Sequence, residues 1–188
     1  MTHKSLIIGI TSASGSLYGI RLLEVLKQCG IETHLVMSKA SVITLATETD
    51  FTPADIQQLA THSYQAHDIG AAIASGSFPC SGMIIAPCSI RTMSEIATGV
   101  TSSLLTRAAD VTLKEARKLV LMVRETPLHV GHLRTMTHLA EIGAIIAPSV
   151  PAFYNRPQTL DDIINHSVGR ILDLFNIDSQ MVKRWGGK

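Results

Sequence analysis

Several short segments of this chain carry residue types that could hold an anion or move a proton. Thr11-Ser12-Ala13-Ser14-Gly15-Ser16 follows the apolar run Leu6-Ile7-Ile8-Gly9-Ile10 and leads into a helical pattern from Leu17 to Gln28, closed by Gly30. Small hydroxyl residues between a strand and a helix start suit phosphate, because the first N–H groups of a helix lack partners and carry partial positive charge. The loop is neither G-x-G-x-x-G nor Walker A, so an ordinary dinucleotide or nucleoside triphosphate is not the first expectation. A plain strand-to-helix turn is the competing reading. Ser89 and Thr92 open a helix after Pro87-Cys88, and an N-cap alone would explain Ser89. Arg124 and Glu125 follow an apolar strand without a break; they read as an anion clamp with an acid or base, or as a local salt bridge or solvated loop. Arg107 and Lys114 lie seven apart on a helix, hence on one face about 10 Å apart, where a solvated stripe is the plainer account. Glu48 sits near a helix end in Ala46-Thr47-Glu48-Thr49-Asp50, against the helix dipole, a mild misfit that hints at function.

Other chemistries find less support. Of eight histidines, His129 and His132 have i, i+3 spacing and His138 follows. No glutamate separates the first two and no cysteine joins them, so no metal site is expected there. Ser14 lacks G-x-S-x-G flanks, which disfavours a serine hydrolase. Cys29, Cys80 and Cys88 are odd in number with no C-x-x-C, as in a reducing cytosol. Cys88 reads as a small buried thiol rather than a nucleophile. With 16 basic and 15 acidic residues there is no electrostatic case for nucleic acid. No apolar run approaches the roughly 20 residues that span a bilayer, and the stretch after Met1-Thr2-His3-Lys4 is too short for a signal peptide. Hydrophobic residues make up 46% and charged residues only 16%. That leaves aliphatic surface to bury between subunits, so a homo-oligomer is expected.

The elements that position these residues alternate. Apolar strands are expected at Leu6–Ile10, Thr33–Met37, Met83–Ala86, Leu119–Val123 and Ala144–Ala147. Helices are expected at Leu17–Gln28, Ala40–Thr49, from Thr52-Pro53 onward, after Ser89, and at Leu104–Arg117, Val130–Ile142 and Thr159–Phe175. Residues 148–157 are irregular and Pro-rich, and Trp185 reads as a packing anchor for the tail. One domain of 188 residues follows. Its strands form a parallel sheet with helices on both faces, and such sheets bind ligands beyond the carboxyl ends of their strands. Thr11 to Ser14, Ser38, Pro87 to Thr92, Arg124-Glu125 and Pro148 onward all fall there. Their clustering favours a phosphate-bearing ligand.

The strand-end residues resemble those of the UbiX-type flavin prenyltransferases, within the wider group of flavin-binding cysteine decarboxylase-like proteins. The likeness runs through Thr11-Ser12-Ala13-Ser14-Gly15, Ser38-Lys39-Ala40, Ala46-Thr47-Glu48-Thr49-Asp50, Ala74-Ser75-Gly76-Ser77 and Pro87-Cys88-Ser89 with Thr92. It continues through Arg107-Ala108-Ala109-Asp110-Val111, Leu113-Lys114-Glu115, Arg124-Glu125, Pro151-Ala152-Phe153-Tyr154 and Arg184-Trp185-Gly186. The resemblance implies a three-layer Rossmann-like, flavodoxin-related α/β fold. It implies FMN bound between subunits of a dodecamer, with residues 148–188 packing at the active site or a subunit interface. The implied reaction joins a dimethylallyl group from dimethylallyl phosphate to N5 and C6 of reduced FMN. The prenylated FMN then serves a UbiD-type decarboxylase, in the cytoplasm and without a metal. By similarity, Ser12, Ala13, Ser14, Ser38, Ser89, Ile90, Arg91, Thr92 and Arg124 contact FMN. Tyr154, Arg170, Lys114 and Arg107 hold the prenyl phosphate. Ser14, Glu125, Lys114 and Glu48 serve catalysis. Two departures stand out: Ser12 replaces a frequent glycine, and Ile90-Arg91 is bulkier than usual. An FMN-dependent oxidative decarboxylase or a non-catalytic FMN carrier would share the flavin loops, but neither needs Lys114, Tyr154 and Arg170 together.

Overall fold

The structure, a computed structural model, describes residues 5–182 together with Arg184 and Gly186; the packing role expected of Trp185 lies outside the described residues. Among the described residues six strands form one sheet: β1 (Ser5–Ile10), β2 (Glu32–Met37), β3 (His62–Tyr64), β4 (Gly82–Cys88), β5 (Lys118–Val123) and β6 (Ala144–Ile146). Seven α-helices connect and cover them: α1 (Ser16–Gln28), α2 (Ser41–Glu48), α3 (Pro53–Leu59), α4 (Ile90–Ala97), α5 (Leu104–Lys114), α6 (Val130–Glu141) and α7 (Leu160–Asp173). Neighbouring strands pair in parallel in the order β3-β2-β1-β4-β5-β6. This is the three-layer, Rossmann-like arrangement expected.

Alternation along the strands builds two cores. Leu6, Ile8 and Ile10 of β1 join Ile84 of β4 and Val120 of β5 beneath α1 and α7. Ile7, Met83, Ile85, Leu119 and Leu121 point to the opposite face, beneath α4, α5 and α6. Strands buried on both faces need continuous apolar runs, which is why they could be read directly. At Gly19 of α1 an added Cβ would lie 2.4 Å from the Ala86 carbonyl oxygen, so only glycine lets α1 approach β4 this closely.

Helix ends follow local chemistry. Thr52 and Asp55 cap α3 reciprocally with Pro53 in its first turn, as anticipated from the sequence. The helix expected to reach Arg117 stops at Lys114. Ala116 takes a left-handed φ of 52°, and the Arg117 N–H returns to the Thr112 carbonyl, closing the helix. The Arg117 guanidinium then holds the Gly76 and Phe78 carbonyls, each at 2.8 Å.

Candidate functional site

The strand order reverses between β1 and β4, and the crevice beyond such a switch point is where doubly wound sheets bind ligands. Thr11 fastens the two sides of that crevice. Its buried hydroxyl donates to the Pro87 carbonyl at 2.8 Å and accepts from the Ser89 N–H at 2.8 Å. Ser89 caps α4 by accepting from the Thr92 N–H, and its hydroxyl donates to that of Thr92 at 3.1 Å. On the β2 side the Ser38 N–H donates to the Ile10 carbonyl at 2.9 Å.

A cleft of about 1140 Å³ opens here, with Ser12, Ser38, Ser89, Arg91 and Thr92 on its wall. Met37, Val42, Ile43 and Leu105 give it an apolar side. The structure thus brings five of the nine expected flavin contacts to one space. Of the others, Ile90, the first residue of α4, packs partly into the core. Arg124 lies just past β5 with its N–H donated to the Cys88 carbonyl at 3.1 Å, and its side chain is exposed. Arg91 pairs with Glu95 at 2.8 Å. Tyr64 and the segment through His67 form a cleft wall that sequence reasoning missed. β3, which carries that wall, has only three residues and no apolar run to announce it.

The start of α1 differs from the expectation of an open anion site. The Glu48 carboxylate, at the end of α2, accepts from the Gly15 N–H at 2.9 Å and the Ser16 N–H at 3.0 Å. The helix that begins there has no side-chain cap of its own, so Glu48 supplies the anion internally. Burial pushes the Glu48 carboxyl up, but the Ser14 hydroxyl and the N–H groups of Ser16 and Gly15 outweigh it and hold the group below its ordinary value. The misfit of an acid at the end of α2 is thereby accounted for: its partner is the opposite pole of another helix. Ser14 and Ala13 remain in the loop beside it, Ser14 oriented by the carboxylate.

Glu125 is exposed, and its Oε1 accepts from the Thr126 N–H at 3.0 Å. It forms no salt bridge with Arg124 among the described residues, so the local-pair reading of these two residues does not hold. Cys88 is buried, which pushes its thiol up to about 12, consistent with an inert role. His129 caps α6, its Nδ1 accepting from the Gly131 and His132 N–H groups.

The residues expected around the prenyl phosphate fall into two groups. Arg107 and Lys114 lie along one face of α5. Arg107 donates to the Ala74 carbonyl at 3.3 Å and pairs with Asp110 at 2.8 Å. Lys114 pairs with Glu115 above Gly76, where a side-chain Cβ would come within 2.7 Å of the Lys114 Nζ. Tyr154 and Arg170 belong to the other layer. The Tyr154 hydroxyl meets His166 Nε2 at 2.9 Å, and Arg170 pairs with Asp173 at 2.7 Å. The sheet separates α5 from α7, and both helices run back toward the amino ends of the strands. Lys118, the first residue of β5, bonds to the Leu174 carbonyl just past α7, which fixes the Arg170 end of α7 at that edge. Within one chain these two groups do not meet.

The Flavoprotein family profile matches residues 1–172. The flavin prenyltransferase UbiX of Thauera aromatica is 56% identical over 97% of this chain and 94% of its own length. That of Escherichia coli K12 is 59% identical over 98% and 99%. This chain belongs to the UbiX family of flavin prenyltransferases. Two solved structures superpose on it closely. AnUbiX, in complex with FMN and dimethylallyl pyrophosphate, matches with a TM-score of 0.98 at 44% identity over 99% of both chains. A dodecameric FMN-dependent UbiX-like decarboxylase from Escherichia coli O157:H7 matches with a TM-score of 0.95 at 46% identity over 97% of this chain and 100% of that one.

Proposed function

We propose that this chain transfers the dimethylallyl group of dimethylallyl phosphate to N5 and C6 of reduced FMN, and that the prenylated FMN passes to a UbiD-type decarboxylase. The likeness to AnUbiX held with FMN and dimethylallyl pyrophosphate, in a chain whose switch-point loops line one cleft, carries this reading. The cleft suits a phosphorylated aromatic ring system. Met37, Val42, Ile43 and Leu105 offer apolar contact, while Ser12, Ser38, Ser89 and Thr92 offer hydroxyls; Arg124, at the neighbouring strand end, supplies positive charge.

Reduced FMN supplies the electron-rich N5 and C6 that accept the five-carbon unit. The chain's own residues govern the leaving group and the proton. As the allylic C–O bond breaks, its electron pair goes to the phosphate, and fixed cations stabilise that charge without reorganising. Lys114 and Arg107 of one protomer and Arg170 and Tyr154 of another would provide them, because one chain keeps the two groups on opposite layers. Bonding at C6 also requires the remaining double bond to gain a proton, so Glu125 or the departing phosphate would give that proton and take back the one lost from C6, with Ser14, aligned by the ionised Glu48, as the relay. A pocket sealed by a neighbour also keeps water from the allylic cation.

Assembly follows from the surface. Ile43, Val150 and Phe153 are each more than 70% exposed, and Val130 and Leu160 more than 60%. They lie on several faces, as in a closed homo-oligomer; the reading is a dodecamer in which residues 148–188 pack at a subunit interface and the active site. No described helix is long and apolar enough to cross a membrane. A cytoplasmic setting suits the unpaired Cys29, Cys80 and Cys88.

Anaerobic incubation with reduced FMN and either dimethylallyl phosphate or dimethylallyl pyrophosphate, followed by flavin mass spectrometry, tests the proposal. Gain of one five-carbon unit from the monophosphate is the expected outcome. Unmodified flavin overturns the transferase reading, and modification from the pyrophosphate alone overturns the choice of donor. Arg170→Ala should raise the KM for the prenyl donor while FMN stays bound.

A further inference from the structure

Outside the prenyl-transfer machinery, one side-chain cluster on the sheet edge is not used by the function above. We propose that Glu32, His34 and His62 form a binding site for a late first-row divalent metal ion, of the zinc type.

The backbone puts the three residues together. Glu32 and His34 are two apart on β2, so both point to one face of the sheet. His62 of β3 is paired directly with His34, and the 4.7 Å between their stacked rings is the spacing of adjacent strands. Glu32 Oε1 lies 2.9 Å from His62 Nε2 and 3.5 Å from His34 Nε2. One donor atom from each residue falls within 4.8 Å of the others. Tetrahedral zinc, with bonds of about 2.0–2.1 Å, sets its ligand atoms about 3.3 Å apart. The two observed nitrogen–oxygen distances bracket that value. A turn of the His62 ring, which is 49% exposed, brings the second nitrogen in.

The surroundings complete what such a centre needs. His34 is 4% exposed, and its Nδ1 meets the Tyr64 hydroxyl at 3.0 Å, leaving Nε2 to face Glu32. A metal-ligating histidine is held in this way, its second ring nitrogen engaged by an outer partner. The Phe78 ring lies nearly perpendicular to that of His34, their centroids 4.8 Å apart, and walls one side with hydrocarbon. Two histidines and one carboxylate make the donor set of zinc sites that retain an exchangeable position. An ion there would rivet β3 to β2. Through Tyr64 and the segment to His67, it would also stiffen the wall of the flavin cleft.

The test uses the full chain, stripped with EDTA and desalted, and titrated with Zn²⁺ against a chromogenic chelator and with Co²⁺ by visible absorption. One zinc per chain is expected, with cobalt d–d bands. His62→Ala and Glu32→Gln should each weaken zinc binding by at least about tenfold, while His132→Ala leaves it unchanged. Each variant loses the Glu32–His62 contact, so the metal-free variants should melt slightly below the wild type, and only the wild type should gain thermal stability on adding zinc. Equal zinc affinity in the wild type and His62→Ala would overturn the proposal, as would loss of binding in His132→Ala; the cluster would then be a carboxylate bridging two imidazoles and nothing more.

Discussion

Replacing Glu48 by glutamine probes the contact that starts α1. The carboxylate accepts two backbone N–H groups at 2.9 and 3.0 Å, where the helix has no cap of its own. Losing a side-chain cap typically costs about 1 kcal/mol, and losing a charge at a helix N-terminus about 0.3–1 kcal/mol where solvent screens it. Glutamine keeps one acceptor but no charge, so Glu48→Gln should destabilise the chain by about 1 kcal/mol, or about 2–4 °C in melting temperature for a domain of this length. The gap should depend on pH. The folded carboxyl titrates below its ordinary value of 4.5, so its contribution is complete above that value and is lost as pH falls through the folded one. Thermal melts of both proteins between about pH 7 and pH 3.5, followed by circular dichroism, should show the gap closing only in the acid range. Equal melting temperatures at neutral pH would refute the reasoning, and so would a gap of constant size across the series.

Other expectations rest on single contacts. Thr11→Val removes the bonds to the Pro87 carbonyl and Ser89 N–H; it should cost about 1–3 kcal/mol in a denaturant melt and lower FMN affinity measured by flavin fluorescence. Gly19→Ala forces a Cβ to 2.4 Å from the Ala86 carbonyl oxygen and should cost about 1–3 kcal/mol, read from the urea midpoint. In the native protein, iodoacetamide at mildly alkaline pH should label the exposed Cys29 and spare Cys88, whose thiol is pushed up to about 12; peptide mapping would reveal the opposite order.

The layers were legible because β1, β4 and β5 are buried on both faces and therefore almost wholly apolar. β3 was not: His62, Ser63 and Tyr64 lie at the edge with partly solvated side chains, and no periodicity marks so short a polar strand. The switch-point loops were legible from their hydroxyls, yet the tie made by Thr11 was not. Its partners lie 76 and 78 residues away, and only the reversal of strand order brings them close. Glu48 stood out as a residue in the wrong place on its own helix. The helix end it serves is 32 residues earlier, beyond the reach of any local rule. Family resemblance groups Lys114 with Arg170, while the sheet that divides them is a three-dimensional fact.

Under the function proposed above, that division makes turnover a property of neighbours. A lesion on one layer would spoil the pocket next door and leave its owner's cleft intact. Chains altered at Lys114, co-expressed with chains altered at Arg170, should regain working pockets wherever an intact lysine meets an intact arginine, about a quarter of them under random mixing. Either altered chain alone would stay silent.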